Sequence, residues 1–316
     1  MNKVVFQASL FVALLSLSAC IEEYKLPENF LKGFEPEVVI NGHILNGAES
    51  VVYVTHTLPF NSTAEQESLI DAQVTIIGQN GYESSLARFD VEKDCYIVDT
   101  RILDTHTQYA VKVLVNGETY QSDFQPIQTT PDIDEVTYKE REDGISIHVS
   151  THGDKNTSRH YMWRYEEVWE FHADIDIKAF PPGGIIYNPI LFPGSYTHNP
   201  YFYCWKSNQS SNLYIYDTSP LTENAVKGHE LFRIPADDMR ISYIYSVQVK
   251  QWSLTPEAFI YYQTLEKMTE NSGGLFQVMP SELRGNISCI SNPDIKVRGY
   301  ITFSNVKISS LLKIVE

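Results

Sequence analysis

The sequence predicts a mainly β protein made of two successive β-sandwich-like domains, the second larger and carrying one α-helix. Three observations predict it. Apolar and polar residues alternate with the period of a half-buried strand in several stretches, and Asn-Gly pairs stand between such stretches. One segment, residues 256–270, combines a helix start, an apolar stripe at helical spacing and a stop.

The first element is a leader. After Lys3, residues 4–17 are apolar but interrupted by Gln7, Ser9 and Ser16. That is shorter than the roughly 20 apolar residues a spanning helix needs. Leu17-Ser18-Ala19-Cys20 closes it in the form of a lipobox, where the cysteine is acylated and becomes the mature N-terminus. Residues 1–19 are therefore expected to be a lipoprotein signal peptide and Cys20 the lipidation site. Each buried methylene contributes about 0.8 kcal/mol, so a multiply acylated cysteine suffices as a membrane attachment. Residues 20–36 are polar and acidic, with Tyr24, Leu26, Phe30 and Phe34 scattered among them, and read as a tether. Glu22 and Glu23, directly after the anchor, fit an export signal for the outer face, although two acids in a tether are also what chance provides.

Residues 37–130 read as a small all-β domain. Tyr109, Val111, Val113 and Val115 alternate with Ala110, Lys112 and Leu114, and Asn116-Gly117 follows before Glu118-Thr119-Tyr120. Asn-Gly between strand-like runs is a hairpin signal because both turn residues need positive φ. Asn80-Gly81 stands in the same relation to Val74-Thr75-Ile76-Ile77 and Tyr82. Leu103, six residues before Tyr109, completes a pattern similar to the tyrosine corner of immunoglobulin-like and fibronectin-like sandwiches, in which the phenol bonds backbone a few residues upstream. The first domain is accordingly expected to be an immunoglobulin/fibronectin-like β-sandwich.

Thr129-Thr130-Pro131 is the expected hinge, and residues 131–316 the second domain. Ile145, Ile147 and Val149 alternate. Ile241, Tyr243, Tyr245, Val247 and Val249 do too, as one long strand; residues 213–216 and 298–303 are shorter candidates. For the helix, Thr255 is the cap, Pro256 suits the first helical position and Glu257 complements the positive end of the dipole. Ala258, Tyr261, Tyr262, Leu265 and Met268 share one face, which should pack on a sheet. Asn271-Ser272-Gly273-Gly274 ends it. Residues 179–205 form a different kind of segment, with Pro181, Pro182, Pro189, Pro193 and Pro200 and many aromatic rings. Prolines bar it from a central strand, so a long stiff excursion is expected, its rings serving either as cover for the sandwich or as contact surface.

Composition narrows the function. The chain has 24 basic and 40 acidic side chains, a formal charge of −16. Such a surface repels phosphate backbones, so no nucleic-acid partner is expected. With Cys20 lipidated, Cys95, Cys204 and Cys289 remain, and an oxidising envelope compartment should close one pair. Cys204–Cys289 is the expected disulfide because both fall in the second domain; the long loop it closes would contribute roughly 4–5 kcal/mol in the chain-entropy model. Cys95 reads as a buried strand thiol with no basic neighbour to activate it.

None of the specific catalytic signatures is present: no His-Glu-x-x-His helix, Walker loop, Gly-x-Ser-x-Gly elbow or zinc-type Cys-x-x-Cys pair. His148 and His152 read as surface residues. Glu166, Glu167 and Glu170, with Asp174 and Asp176, are carboxylates suited to acid–base work or calcium, but no glycine-turn loop organises them. No catalytic residue, metal or cofactor is expected. The aromatic residues Trp163, Trp169, Phe180, Tyr187, Tyr196, Tyr201 and Tyr203 are the candidate contacts for a ligand or partner.

Taken together, Cys204-Trp205, Leu213-Tyr214-Ile215-Tyr216, Leu254-Thr255-Pro256-Glu257-Ala258 with Tyr261-Tyr262, Pro280-Ser281, Gly285-Asn286-Ile287, Cys289, Ser291-Asn292-Pro293, and Gly299-Tyr300 with Phe303 form a pattern. It resembles a Bacteroidota lipoprotein family catalogued as domain of unknown function 4249, over most of the mature chain. The resemblance implies a gene beside an outer-membrane TonB-dependent transporter. It therefore implies an outer-membrane lipoprotein, lipid-anchored and facing the exterior, acting as non-enzymatic ligand-capture or accessory subunit of that transporter. No functional residues come with it, and the ligand is not specified. A surface adhesin or fimbria-like structural lipoprotein, and a glycan or peptide hydrolase using Glu166 or Glu170, are the alternatives from other classes.

Overall fold

The structure, a computed structural model, describes residues 34–59, 68–100, 103–173, 202–210, 212–270 and 283–314. Backbone contacts separate a unit of Met1–Pro36 with Leu58–Ala64, little of it described, from a unit of Glu37–Thr57 with Glu65–Glu316, to which all that follows refers. The lipobox and most of the tether lie outside the described residues.

The first sandwich starts with β1 (Val38–Leu45), β2 (Glu49–His56), β3 (Gln73–Gly78), β4 (Arg88–Asp90), β5 (Cys95–Asp99), β6 (Gln108–Val115), β7 (Glu118–Ser122) and β8 (Gln125–Pro126). The second takes β9 (Ile133–Arg141), β10 (Gly144–His152), β11 (His160–His172), β12 (Tyr203–Gln209), β13 (Tyr214–Asp217), β14 (Ala225–Pro235) and β15 (Ile244–Leu254), then helix α1 (Pro256–Glu270). The chain then returns with β16 (Ile287–Cys289), β17 (Val297–Arg298) and β18 (Ile301–Ser304), and ends in β19 (Val306–Ile314).

Each sandwich is two sheets closed over one core. In the first, a sheet ordered β17-β1-β2-β5-β4, with β18 also on β1, faces a sheet ordered β16-β7-β6-β3. Val52, Val54, Val74, Ile76, Val111 and Val113 fill the space between them, the inward half of each alternating strand. In the second, β14-β10-β9 faces β12-β11-β15-β19, over Ile147, Val149, Tyr161, Trp163, Tyr245, Val247 and Val249. The mainly β class expected from alternation is the class observed.

The local signals are realised in detail. Asn116 and Gly117 have φ of 55° and 81° and turn β6 into β7. The Tyr109 hydroxyl accepts the Asp104 backbone N–H at 2.8 Å while its ring is buried, a tyrosine corner in place. Thr255 Oγ1 accepts the Ala258 N–H at 3.1 Å and caps α1. Ala258, Tyr261 and Tyr262 pack with Met162, Trp252 and Leu254 on the outer face of the β11 sheet.

Three expectations need correction. The long strand begins at Ile244 rather than Ile241, because Asp238 accepts the Arg240 N–H at 2.9 Å and caps a 3-10 turn over Met239–Ile241. The 298–303 strand is broken at Gly299, whose φ of 105° separates β17 from β18. No disulfide joins Cys204 to Cys289, whose thiol is free and buried. Cys289 pairs with Tyr120 of β7 in the first sandwich, whereas Cys204 pairs with Phe171 of β11 in the second. The reasoning that put both in one domain failed because residues 287–304 rejoin the first sandwich: β17 and β18 run parallel to β1, and β16 lies on β7.

The returning segment carries its own devices. The Asn286 carboxamide brackets Ile301, donating to its carbonyl and accepting its N–H, each at 2.9 Å. Asn41 Oδ1 accepts the Tyr300 N–H at 3.0 Å. Both act as side-chain substitutes for ladder hydrogen bonds where the strand is interrupted.

Candidate functional site

Period-two alternation on β11 sorts its side chains onto two faces. Tyr161, Trp163, Tyr165 and Trp169 join the core against the β10 sheet. Met162, Arg164, Glu166 and Val168 take the opposite face, where Met162 meets α1. On β1 the buried Ile40 and Ile44 point into the first sandwich, leaving His43 and Leu45 on its outer side. These two outer faces border a cleft of about 540 Å³. His43, Tyr53, Lys93 and Cys95 line it from the first sandwich, and Arg164, Glu166, Lys250 and Trp252 from the second.

The electrostatics of the cleft are set by burial around one guanidinium. His43 is held at a pKa of about 3, first by burial and then by the Arg164 charge, so its imidazole is neutral at neutral pH. Its Nδ1 is 2.8 Å from Thr302 Oγ1, and its ring stacks on Trp252 and Tyr262 at 5.7 and 5.9 Å. Lys250 pairs with Glu166, which also accepts from Gln209 Nε2 at 3.3 Å. Cys95 is the buried strand thiol expected. Lys93 and Arg88 do stand near it, against the sequence reading, but burial and then Asp90 outweigh them and push the thiol upward. It is protonated and a poor nucleophile at neutral pH.

An acid-sensitivity prediction arises from His43. The unfolded imidazole protonates below about 6.5 and the folded one only near 3, so the unfolded state binds the extra proton between them. Stability is whole above pH 6.5 and is expected to fall, at up to about 1.4 kcal/mol per pH unit, as pH drops below it. Urea unfolding at a series of pH values should show this slope, and His43→Gln should flatten it. An unchanged slope in the variant would place the titration elsewhere.

The candidate contact residues fare unevenly. Trp163 is fully buried and its Nε1–H donates to Gln251 Oε1 at 2.8 Å; Trp169 is 5% exposed. Both belong to the core, because odd positions on β11 face inward, so neither offers a contact surface. Phe180, Tyr187, Tyr196 and Tyr201 lie outside the described residues, as does nearly all of the proline-rich excursion. Tyr203 is exposed, beside the His172 ring that stacks on Tyr243 at 3.6 Å.

The acidic candidates are likewise separated. Glu167 is fully buried, accepting from Arg240 Nη1 at 3.1 Å, Asn208 Nδ2 at 2.9 Å and the Tyr245 hydroxyl at 2.9 Å. That carboxylate is satisfied within the fold. Glu170 holds His172 Nε2 at 2.8 Å, and Asp174 and Asp176 lie outside the described residues. His148, expected at the surface, is buried between Ser146 and the Gly228 carbonyl; His152 is exposed and pairs with Asp134 at 2.7 Å. Among the described residues no group of three or more His, Cys, Asp or Glu side chains is placed to hold a metal ion.

Sequence reading missed His43, Arg164, Lys250 and Trp252. Arg164 and Lys250 interrupt apolar runs in paired strands, Arg164 opposite Lys250, but a charge in an alternating strand ordinarily marks a solvated face. Only the pairing shows that this face is half covered.

Comparison with known proteins adds the following. The family described as Domain of unknown function (DUF4249) matches residues 21–310. No curated protein matches. Among solved structures, a two-domain fibronectin type-III segment of chicken tenascin is 11% identical, covering 68% of this chain and 90% of that one with a TM-score of 0.20. Among the described residues no helix is long and apolar enough to cross a membrane, which leaves lipid anchoring and strand-built barrels aside.

Proposed function

The chain belongs to the DUF4249 family, and we propose that this member is a lipid-anchored outer-membrane protein, facing the exterior, that captures a ligand for a TonB-dependent transporter or assists it without catalysis. The observation that carries the reading is the cleft: a recess of about 540 Å³, within the size range of small-molecule sites, with walls from both sandwiches. The lipobox at Cys20 supports the anchor. The face of the β11 sheet beyond the cleft supports a docking role. Val168, Trp205, Ile308 and Leu312 stand exposed there, Trp205 at 56%, and aromatic and aliphatic side chains of this kind serve as interface anchors.

The test is recovery of the tagged protein from detergent-solubilised outer membranes, with mass spectrometry of what accompanies it. A TonB-dependent transporter is expected, in an amount reduced by Trp205→Glu with Leu312→Glu. Cys20→Ala is expected to release the protein from membranes. Recovery of the chain alone, or an unlipidated parent that fractionates with membranes as before, would remove the proposal.

A further inference from the structure

We infer that the cleft is a carboxylate-recognition site, in which the Arg164 guanidinium pairs with a ligand carboxylate and the Trp252 indole N–H supplies a second hydrogen bond. The inference deepens the ligand-capture reading and rests on it for the cleft being a binding site.

Arg164 is the first ground. It is half-buried in the middle of β11, and among the described residues it has neither an ion pair nor a hydrogen bond. The neighbouring cation, Lys250, is occupied by Glu166. A guanidinium presents five N–H donors in a planar fork whose natural complement is a carboxylate, and leaving it partly desolvated and unmatched is unfavourable.

Trp252 is the second and independent ground. Its side chain lines the cleft, is 5% exposed, and its Nε1–H is buried without an acceptor. Buried donors are almost always satisfied; of the described orphan groups, which include Trp169 Nε1, only Trp252 stands in the cleft wall, where a small turn of its ring would bring the N–H to a bound group. The register puts the two donors together: Arg164 pairs with Lys250, and Trp252 lies two residues along on the same face, a diagonal neighbour at about 7–8 Å.

Charge selects among anions. The lining has three basic side chains, Lys93, Arg164 and Lys250, against three acids, Glu49, Glu92 and Glu166. A single negative charge is met by Arg164, whereas a phosphate dianion would also meet the carboxylates. The neutral His43 beside the guanidinium adds no second full charge. Tyr53 at 42% exposure, with Gln209 and Ser210, gives an oxygen-rich ligand an aromatic face and polar partners. Two sources carry this chemistry, a uronic acid and an acidic amino acid.

Calorimetric titration of the purified lipid-free chain distinguishes them, using galacturonate, glutamate, galactose and inorganic phosphate as probes. One of the two carboxylates is expected to bind about tenfold or more tightly than galactose and phosphate, and the tighter one names the source. Arg164→Gln should abolish that preference and Arg164→Lys restore part of it. The Trp252 indole N–H resonance should move on titration of the parent. Because Arg164 has no partner to lose among the described residues, Arg164→Gln should melt no lower than the parent, which separates lost binding from lost fold. Galactose binding as tightly as galacturonate would overturn the inference and leave ligand capture standing. So would affinity unchanged in Arg164→Gln. No binding of any probe at millimolar concentration would overturn it as well, and transporter co-purification would then decide the broader reading.

Discussion

Gly299→Ala is expected to lower the stability of the chain by about 4 kcal/mol or more, enough to leave much of it unfolded. Gly299 has φ of 105°, a backbone conformation costing a residue with a side chain about 1–3 kcal/mol. A Cβ there would stand 2.0 Å from the Ile40 carbonyl oxygen, which belongs to the backbone of β1 and has no rotamer by which to retreat. Relief requires β17 and β18 to separate from β1, breaking the parallel pairing that seats Ile301 and Phe303 in the first core. Urea unfolding followed by circular dichroism measures the loss. Gly47→Ala is the control, with a φ of 95° but nothing within 4 Å of its added carbon, and should show the backbone cost alone. Equal losses in the two variants would mean that β18 is not held against β1 as described.

Glu167→Ala is expected to cost about 3–5 kcal/mol, the range for removing one partner of a buried ion pair. The carboxylate is inaccessible to solvent and accepts from Arg240, Tyr245 and Asn208 together. Without it, the Tyr245 hydroxyl loses its acceptor in the interior and Arg240 keeps only Asp238, bonded at 2.7 Å. Burial and the Glu167 charge hold the Tyr245 phenol strongly upward, so it stays a neutral donor at every working pH. Arg240 holds the Asp238 carboxyl below its ordinary 3.8, so that contribution is present above this value and is lost as pH falls below it. Replacing Glu167 and Arg240 together by methionines should recover part of the loss, because a buried pair exchanged for apolar packing is far less harmful than a broken one. Denaturation of the two single variants and the double variant at neutral pH gives the coupling. A single-variant loss under about 1 kcal/mol would show the site open to water.

Much of the fold was legible because its signals are local. Positive φ at Asn116 and Gly117, the Thr255 cap, the Tyr109 corner and the alternation of β10 are each written within a few residues. The closure of the first sandwich was not legible. Nothing near Ile287 or Ile301 states that its hydrogen-bond partners stand on β7 and β1, and the pairing of a short strand with a distant one is fixed only by the assembled core. The Cys204–Cys289 expectation failed for that reason. The motif Gly285-Asn286, with Gly299-Tyr300, was visible as a pattern but not as what it does: two glycines admit backbone against backbone, and one asparagine replaces missing ladder bonds. The cleft was hidden for a related cause. Its residues are drawn from β1, β2, β5 with the turn before it, β11, β12 and β15, and no stretch of sequence holds more than a few of them. Arg164 takes its face from the alternation of β11, and only the assembled sheets show another sheet's outer surface across from it.

The return of the C-terminal strands to β1 also governs timing. His43 meets Thr302, 259 positions further along, so the first hydrophobic layer cannot close before residues that far along have emerged. The opening third must wait, unfinished and with one flank of β1 unpaired, until residues 287–304 have left the ribosome. Consolidation of the first sandwich therefore waits on its distant strands, and a fragment stopped near residue 130 would be left with an unzipped seam rather than a free-standing module.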